Sequence, residues 1–209
     1  MITQPYTSWT HKLARHFVRP MVGTAITPNH LTTGRLLTGI AACGGFMVGD
    51  PVCDFWGGLL WIVSCFLDRA DGELARLAGT SSPGGHRYDY WCDVIVNGLF
   101  FTAIGIGLRN GDYGHWAIAL GLVAGGTVAL ASVLSEMLEA HNDGGGKAYA
   151  GVFGFDFDDV LYLFGPAAWF GWFPYLLVGA AMGGPFFAGL TLWRLVRSGR
   201  PRPGARQPE

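Results

Sequence analysis

The chain has 209 residues, of which 50% are hydrophobic and only 14% are charged, and its formal net charge is −1. Because about a quarter of the residues in a soluble domain are charged, this composition excludes an ordinary water-soluble protein and predicts an integral membrane protein. The small net charge also excludes a general attraction to nucleic acid. The four cysteines lack the spacing of a zinc site or a disulfide framework and are interpreted as small buried hydrophobic residues.

The first predicted element is a helix within a cytoplasmic N-terminal segment, residues 1–27. Between Ser8 and Pro20, the apolar side chains of Trp9, Leu13 and Phe17 recur among basic residues. Helical spacing places this apolar group on one side, which favours an amphipathic helix lying on the membrane surface. A frayed terminus is the alternative interpretation.

Six apolar segments at or near membrane-spanning length follow, so the predicted fold is all-α, with six transmembrane helices in residues 28–197. The segments are Leu31–Gly49, Phe55–Phe66, Tyr90–Leu108, His115–Leu138, Val160–Phe173 and Tyr175–Leu195. The second and the fifth are short as apolar runs, and we expect the second to continue as a helix through Asp68 and Asp71 toward Leu77. Residues 198–209 are basic and rich in proline, which predicts a disordered cytoplasmic tail.

The distribution of basic residues predicts the orientation of these spans. Lysines and arginines cluster before the first span, between the second and third, between the fourth and fifth, and after the sixth, whereas Arg109 falls in a connection on the opposite side. By the positive-inside rule, both termini and the even-numbered connections face the cytoplasm. The expected location is a bacterial-type inner or plasma membrane.

Four aspartates mark the end of the second span and the start of the third. Asp68 and Asp71 are three residues apart, and Asp89 and Asp93 are four apart, so each pair lies on one face of its helix. Two antiparallel helices can therefore direct four carboxylates into one gap. Such like charges repel strongly unless cations neutralise them, and hard oxygen ligands favour Mg²⁺, Mn²⁺ or Ca²⁺ over zinc. The pattern predicts a two-metal site that holds phosphate oxygens.

The residues between these aspartates suit a phosphate-linked nucleotide. Gly72 and Ala75 leave room for a flat base or ribose, Arg76 offers a fork of donors to phosphate oxygens, and Gly85 permits a tight entry into the next helix. Each also has an ordinary structural explanation: Asp71-Gly72 can end a helix, and Arg76 can anchor a membrane interface. The whole set together favours the functional interpretation.

This arrangement resembles the signature of the CDP-alcohol phosphotransferases, D-x2-D-G-x2-A-R-x8-G-x3-D-x3-D. Every fixed position is met, by Asp68, Asp71, Gly72, Ala75, Arg76, Gly85, Asp89 and Asp93. Pro28-Asn29 and Thr32 with Arg35 also resemble the family's entry to its first span. With the six-span layout, the resemblance extends over residues 28–197.

The resemblance implies a six-helix membrane enzyme, usually homodimeric, that transfers a phosphate-linked group from a CDP-activated donor to an alcohol and releases CMP. It implies that Mg²⁺ or Mn²⁺, two ions per active site, is held by Asp68, Asp71, Asp89 and Asp93. Asp93 is also the implied base that deprotonates the acceptor hydroxyl. The implied CDP site comprises Asn29, Thr32, Asp68, Gly72, Ala75, Arg76 and Gly85.

The sequence leaves the donor and acceptor open. Transfer of a phosphatidyl group from CDP-diacylglycerol, in phospholipid biosynthesis, is the favoured interpretation. The stretch around Ser81–Asp93 resembles eukaryotic choline and ethanolamine phosphotransferases, so a CDP-amino alcohol with a lipid alcohol as acceptor is the alternative. A divalent cation transporter is a further alternative, although acids for transport are expected near the bilayer midplane.

Candidates for acceptor recognition are polar residues on the predicted cytoplasmic side: His86, Arg87, Glu136, His141, Lys147, Asp156, Asp158 and Asp159. Lys147 follows three glycines and is also interpreted as a solvated loop lysine. The three aspartates precede an apolar segment, where acids also stabilise a helix N-terminus.

Overall fold

The structure, a computed structural model, describes residues 9–141 and 157–198, and these residues form helices and short connections without a strand. The prediction of an all-α fold is confirmed. The α-helices are α1 (Trp9–Val18), α2 (Pro28–Val48), α3 (Pro51–Ala78), α4 (Pro83–Gly107), α5 (Trp116–His141), α6 (Phe164–Trp169) and α7 (Phe173–Ser198). Three 3₁₀ segments lie at Arg19–Met21, Leu108–Asn110 and Phe157–Leu163.

Local sequence signals explain the sharp turns around α3. Asp50 accepts hydrogen bonds from the backbone N–H groups of Val52 and Cys53 at the start of α3, and Ser82 does the same for Gly85 at the start of α4. Each of these helices begins with a proline, whose missing N–H is not needed there. Gly49 and Gly79 end the preceding helices in the left-handed conformation, with φ of 73° and 65°. The first turn makes α2 and α3 antiparallel neighbours, and the second returns the chain so that α4 also packs against α2.

An aromatic cluster forms the centre of the bundle. The rings of Phe100 and Phe164 stack with centroids 4.7 Å apart, and Trp61 lies 4.2 Å from Phe100. Phe46 packs edge-on against both Phe100 and Phe173. The cluster therefore ties together α2, α3, α4, α6 and α7.

Five of the described helices are long and apolar enough to cross a membrane: Pro28–Val48, Pro51–Ala78, Pro83–Asn110, Trp116–Leu138 and Phe173–Arg197. Their outward faces carry large apolar side chains, such as Met182 and Phe186 on α7, which are 74% and 76% exposed. Lipid solvates such faces where water does not. The expected continuation of the second span is confirmed, because α3 runs unbroken through Asp68 and Asp71 to Ala78.

The predicted fifth span, Val160–Phe173, differs from the others, and a count of six spanning helices is not confirmed. Its residues form the 3₁₀ segment and then the six-residue helix α6. The chain here still runs antiparallel along α3, since Asp159 pairs with Arg69 near one end of α3, and the Trp169 indole donates to the Phe55 carbonyl near the other. A 3₁₀ segment rises about 2.0 Å per residue against about 1.5 Å in an α-helix, so few residues cover this distance.

The N-terminal helix α1 packs against α3 with one face and exposes the other. Ala14 and Val18 are buried, whereas Trp9, Leu13 and Phe17 are 55%, 53% and 46% exposed. The exposed apolar stripe agrees with the predicted amphipathic pattern. That this stripe lies on a membrane surface stays a prediction, as do the domain boundaries at residues 27 and 197. Lys147, Asp156 and nearly all of the predicted tail lie outside the described residues.

Candidate active site

Three carboxylates converge where α3 ends and α4 begins. One oxygen from each of Asp68, Asp71 and Asp89 lies within 4.8 Å of the other two. The antiparallel turn between the helices and the three-residue spacing on α3 produce this arrangement. Asp71 is buried and accepts a hydrogen bond of 2.6 Å from the Thr32 hydroxyl of α2, so a third helix helps to orient the cluster.

Asp93 lies one helical turn beyond Asp89 on α4, and it is not part of the group of three. Its carboxylate forms a close ion pair with Arg35 of α2. The side chain is 37% exposed and borders a cavity, so it is open to a substrate. Its predicted roles as base and as metal ligand stay predictions.

Arg35 is a cation that contacts three of the four aspartates in this structure. Its guanidinium is buried, with Nε 3.3 Å from Asp68 and Nη1 3.9 Å from Asp89 in addition to the contact with Asp93. Sequence reasoning used Arg35 for membrane orientation and for the entry to the first span, and it missed this role. The available signal was a cation inside an apolar span, where charged residues pair with one another.

The donor set suits a hard divalent cation. Asp68, Asp71 and Asp89 offer carboxylate oxygens, the ligands that Mg²⁺ and Mn²⁺ prefer, and no cysteine or histidine belongs to this group among the described residues. One buried arginine among four aspartates leaves an excess of negative charge at the site. Bound cations would offset this excess, so the residues fit the predicted metal.

A cavity of about 810 Å³ opens on one side of the aspartates. Its walls include six of the seven residues predicted for CDP, namely Asn29, Thr32, Gly72, Ala75, Arg76 and Gly85; Asp68 is not among its lining residues. A Cβ added to Gly72 would lie 3.4 Å from the Arg76 Nη2, and one on Gly85 would lie 3.1 Å from the Ser82 hydroxyl. These glycines therefore keep the cavity wall flat beside polar groups. We call this space the front cavity.

A second cavity of about 870 Å³ opens on the other side, between α4, α5 and α7. Asp89 and His86 border both cavities, whereas Asp93 borders only the second of these two. Its walls are largely apolar and include Phe101, Val128, Phe164, Leu176 and Phe187, with polar groups at Asn97, Ser132, Ser135 and Glu136. We call this space the rear cavity. The aspartate cluster thus lies between a nucleotide-sized space and an apolar one.

A known protein family shares the sequence pattern of the helices that carry this cluster. The sequence profile of the CDP-alcohol phosphatidyltransferases matches residues 25–182, which include α2, α3, α4 and all four aspartates. The chain belongs to the CDP-alcohol phosphatidyltransferase family. The resemblance inferred from the aspartate signature is confirmed.

One curated relative of this chain is cholinephosphotransferase 1 of Gallus gallus. The two are 29% identical over 99 residues, which is 44% of this chain and 30% of the Gallus gallus protein. The matched region is thus under a third of that relative.

Two solved structures of the phosphatidylinositol phosphate synthase of Mycobacterium tuberculosis have the same fold. The structure with CDP-DAG bound is 20% identical, with a TM-score of 0.57 and coverage of 91% of each chain. The structure in complex with manganese and citrate is 21% identical, with a TM-score of 0.56 and coverage of 90% of this chain and 86% of that one. At this identity the likeness shows the fold of this family member.

The predicted acceptor residues of this chain do not all come together. His86 and Glu136 meet at the rim of the rear cavity, with Nε2 and Oε1 3.2 Å apart. Arg87 is exposed and lines neither cavity. Lys147 lies outside the described residues, as does the side chain of His141.

Asp159 was predicted either to recognise the acceptor or to stabilise a helix N-terminus, and its contacts in the structure are different from both. It is buried, accepts a hydrogen bond of 2.8 Å from the Thr10 hydroxyl and pairs with Arg69 at 3.3 Å. It therefore links α1, α3 and the 3₁₀ segment. Asp156 and the side chain of Asp158 lie outside the described residues.

Sequence reasoning also missed a polar network behind Arg76. Glu73 of α3 is fully buried, and its carboxylate contacts His11 and Arg15 of α1 as well as Arg76. Burial, and then the neighbouring Arg69 charge, lowers the pKa of the His11 imidazole. Arg69 approaches His11 Nε2 at 3.3 Å, and a guanidinium only donates, so Nε2 is the acceptor and Nδ1–H donates to Glu73.

Proposed function

We propose that this protein transfers a phosphate-linked group from a CDP-activated donor to an alcohol and releases CMP, using divalent metal ions. The observation that carries the proposal is the convergence of Asp68, Asp71 and Asp89 between the front cavity and the rear cavity. Membership of the CDP-alcohol phosphatidyltransferase family supports the same reaction.

In this proposal the front cavity holds the CDP group. Gly72 and Ala75 present a flat wall to the base and ribose, and Arg76 directs guanidinium donors at the phosphates. Asn29, Thr32 and Gly85 complete the wall, and Asp68 contributes through the metal site. The β-phosphate then lies beside the aspartates, at the border between the two cavities.

The chain's own groups position the reactants and accept a proton. The acceptor oxygen attacks the β-phosphorus, forming a new P–O bond while the bond from that phosphorus to the bridging oxygen of CMP breaks. The hydroxyl proton passes to the carboxylate of Asp93, which borders the rear cavity where the acceptor arrives. Mg²⁺ or Mn²⁺, two per site and held by Asp68, Asp71 and Asp89 with contact to Asp93, would neutralise charge on the phosphate oxygens.

The proposed donor is CDP-diacylglycerol, so that a phosphatidyl group is transferred in phospholipid biosynthesis. Two observations support it. The solved structure that contains CDP-DAG shares this fold over nearly the whole chain. The rear cavity, which adjoins Asp89 and Asp93, is lined by aromatic and aliphatic side chains suited to acyl groups.

Transfer of a CDP-linked amino alcohol to a lipid alcohol is the second candidate, and the charge of the rear cavity favours it. Glu136 borders this cavity together with Asp89 and Asp93, which contact Arg35 beside it, and no lysine or arginine lies among the described residues that line it. A cationic choline or ethanolamine group suits such a surface better than a phosphorylated head group does. The local similarity to cholinephosphotransferase 1 points the same way.

The proposed setting is a membrane with the aspartates and both termini on the cytoplasmic side and α1 on the membrane surface. The charge distribution supports it, since Lys12, Arg76 and Arg197 lie on connections or helix ends assigned to that side, against Arg109 on the other. A homodimer is part of the proposal through the family resemblance alone.

The deciding experiment measures CMP release by the purified chain in lipid nanodiscs. CDP-diacylglycerol is offered with a panel of small alcohols, and CDP-choline or CDP-ethanolamine with diacylglycerol. We expect release with one donor class, its loss in EDTA, and its return with Mg²⁺ or Mn²⁺. Cation flux in liposomes without CMP release from any donor would instead support the transporter alternative and contradict the enzyme.

A further inference from the structure

Arg76, the arginine of the aspartate signature, forms a hydrogen bond with Glu73, which is not one of the signature residues. Glu73 lies three residues earlier on α3, and its Oε1 accepts a hydrogen bond of 2.8 Å from the Arg76 Nη2. Glu73 is fully buried, and the Arg76 side chain is 34% exposed where it lines the front cavity. Arg76 therefore presents donors to the cavity while one donor is fixed inside the protein.

Two residues of α1 hold Glu73 in turn. His11 Nδ1 donates to Oε1 at 3.0 Å, and Arg15 Nε donates to Oε2 at 2.9 Å. Both carboxylate oxygens are thus fixed by α1, and a buried carboxylate with three charge-assisted or buried contacts has little rotational freedom. The far side of His11 is fixed by Arg69, which also pairs with Asp159.

The packing of α1 makes this contact part of the helix docking. Val18 packs with Ala70 and Leu74 of α3 in a small apolar cluster beside Glu73. The chain that follows α1, from Met21 to Thr27, forms part of the wall of the front cavity. Docking of α1 therefore determines both the orientation of Glu73 and one wall of the cavity.

We propose that Glu73 is a positioning residue through which docked α1 orients Arg76 toward the phosphates of the nucleotide. This inference rests on the proposed function, since it assigns the front cavity to a CDP group. The chemistry is specific: a carboxylate that holds Nη2 fixes the plane of the guanidinium, and this plane sets the direction from which Arg76 approaches a diphosphate. Loss of the α1 contacts frees Glu73 and lets Arg76 leave that direction.

The test measures CDP binding by the full chain in nanodiscs with Mn²⁺, using Arg15→Ala and Glu73→Gln. We expect each to weaken CDP binding about tenfold, since a hydrogen bond to a charged group is worth roughly that factor or more. Lys12→Ala, which removes the same charge from the exposed face of α1, is the matched control and changes binding less than about twofold. In turnover assays the KM for the donor rises in Arg15→Ala while kcat is largely kept, and Arg15→Lys recovers part of the loss.

A double-mutant cycle separates positioning from general stability. If Glu73 acts through Arg76, then Glu73→Gln adds little loss of CDP binding in an Arg76→Ala background. Fully additive losses, or wild-type binding by both Arg15→Ala and Glu73→Gln, overturn the inference while leaving the proposed function intact. A wild-type chain that does not bind CDP overturns both. If Glu73→Gln does not fold, Arg15→Ala takes its place in the double-mutant cycle. The Arg15 side chain is 54% exposed, so its removal is expected to leave the fold intact.

Discussion

Asp93 and the other three aspartates have different surroundings, and this difference separates their proposed roles. Asp68, Asp71 and Asp89 face one another, whereas Asp93 lies outside this group; like Asp89, it contacts Arg35 and borders the rear cavity. A group that takes a proton from an entering alcohol must lie where the alcohol arrives. Asp89 and Asp93 both satisfy this condition, and Asp93 is the one that does not belong to the group of three carboxylates.

We expect Asp93→Asn to bind CDP and metal but to lower kcat by about 10² to 10⁴, the usual contribution of a general base. Calorimetric CDP binding and CMP release are measured on the same preparation. Asp50→Asn is the control, because Asp50 caps the far end of α3 and asparagine caps equally well. Turnover at the wild-type rate in Asp93→Asn would refute the assignment of the base.

The buried ion pairs of Arg35 lead to a separate prediction about the stability of the protein in the absence of metal. Removing a buried partner from an ion-pair cluster costs about 3–5 kcal/mol, so Arg35→Gln should unfold at a lower temperature in EDTA than the wild type. Freed from Arg35, the carboxylates gain more from a cation, and Mn²⁺ should raise the melting temperature of the variant by more than that of the wild type. Arg19→Gln, at an exposed position in the 3₁₀ segment that follows α1, should show neither effect. Equal Mn²⁺ shifts in Arg35→Gln and wild type would contradict this role.

Single residues also explain which parts of the site could be read from the sequence. The aspartate spacing is a local property of two helices, so the convergence of Asp68, Asp71 and Asp89 could be predicted from periodicity and a short turn. The contacts of Arg35 and Glu73 depend on which helix packs beside α3, and no local pattern contains that information. Both residues were visible in the sequence, but the aspartates that contact Arg35, and the α1 residues that contact Glu73, lie far away in the sequence on other helices.

At the scale of elements, hydropathy predicted where apolar segments lie but not their hydrogen-bond pattern. The extension of α3 beyond its apolar run was predictable, because helical periodicity continues through the aspartates to Ala78. The segment at Val160–Phe173 is equally apolar, yet it forms a 3₁₀ segment and a short helix. Close contacts of Gly165 with Ile62 and Gly58 hold this segment against α3, and they depend on tertiary packing.

The interface of α4 with α5 supports the position of two aspartates, and its glycines give a testable consequence. A Cβ on Gly105 would lie 2.5 Å from the Ala117 carbonyl oxygen, so Gly105→Ala must push the helices apart. We expect a loss of about 1–3 kcal/mol in stability, the usual cost of overpacking, measured by thermal unfolding in detergent. Gly126→Ala on α5, where a Cβ meets nothing within 4 Å, should be neutral or slightly stabilising. A Gly105→Ala variant as stable as Gly126→Ala would contradict this packing.

At the scale of the whole molecule, two sets of helices enclose two cavities. Helices α2, α3 and α4 enclose the front cavity, and α4, α5 and α7 enclose the rear cavity, so α4 serves both. Because Asp89 borders both spaces and Asp93 borders the rear one, a group that leaves a nucleotide in front can meet an acceptor behind. The arrangement predicts that the two cavities can be blocked independently.

Gly183 of α7 offers a way to fill the rear cavity without disturbing the front. It lines that cavity, and a Cβ there meets no atom within 4 Å, so a side chain added at Gly183 begins in open space, and we expect the indole of Gly183→Trp to occupy the cavity. We expect this variant to bind CDP with wild-type affinity but to lose most CMP release, because the lipid chains no longer fit beside Asp93. Gly189→Trp, on the same helix with equally open surroundings but outside the cavity lining, should retain both properties. Equal turnover by Gly183→Trp and Gly189→Trp would mean that the lipid group binds elsewhere, whereas a parallel loss of CDP binding would mean that the two cavities are not separate.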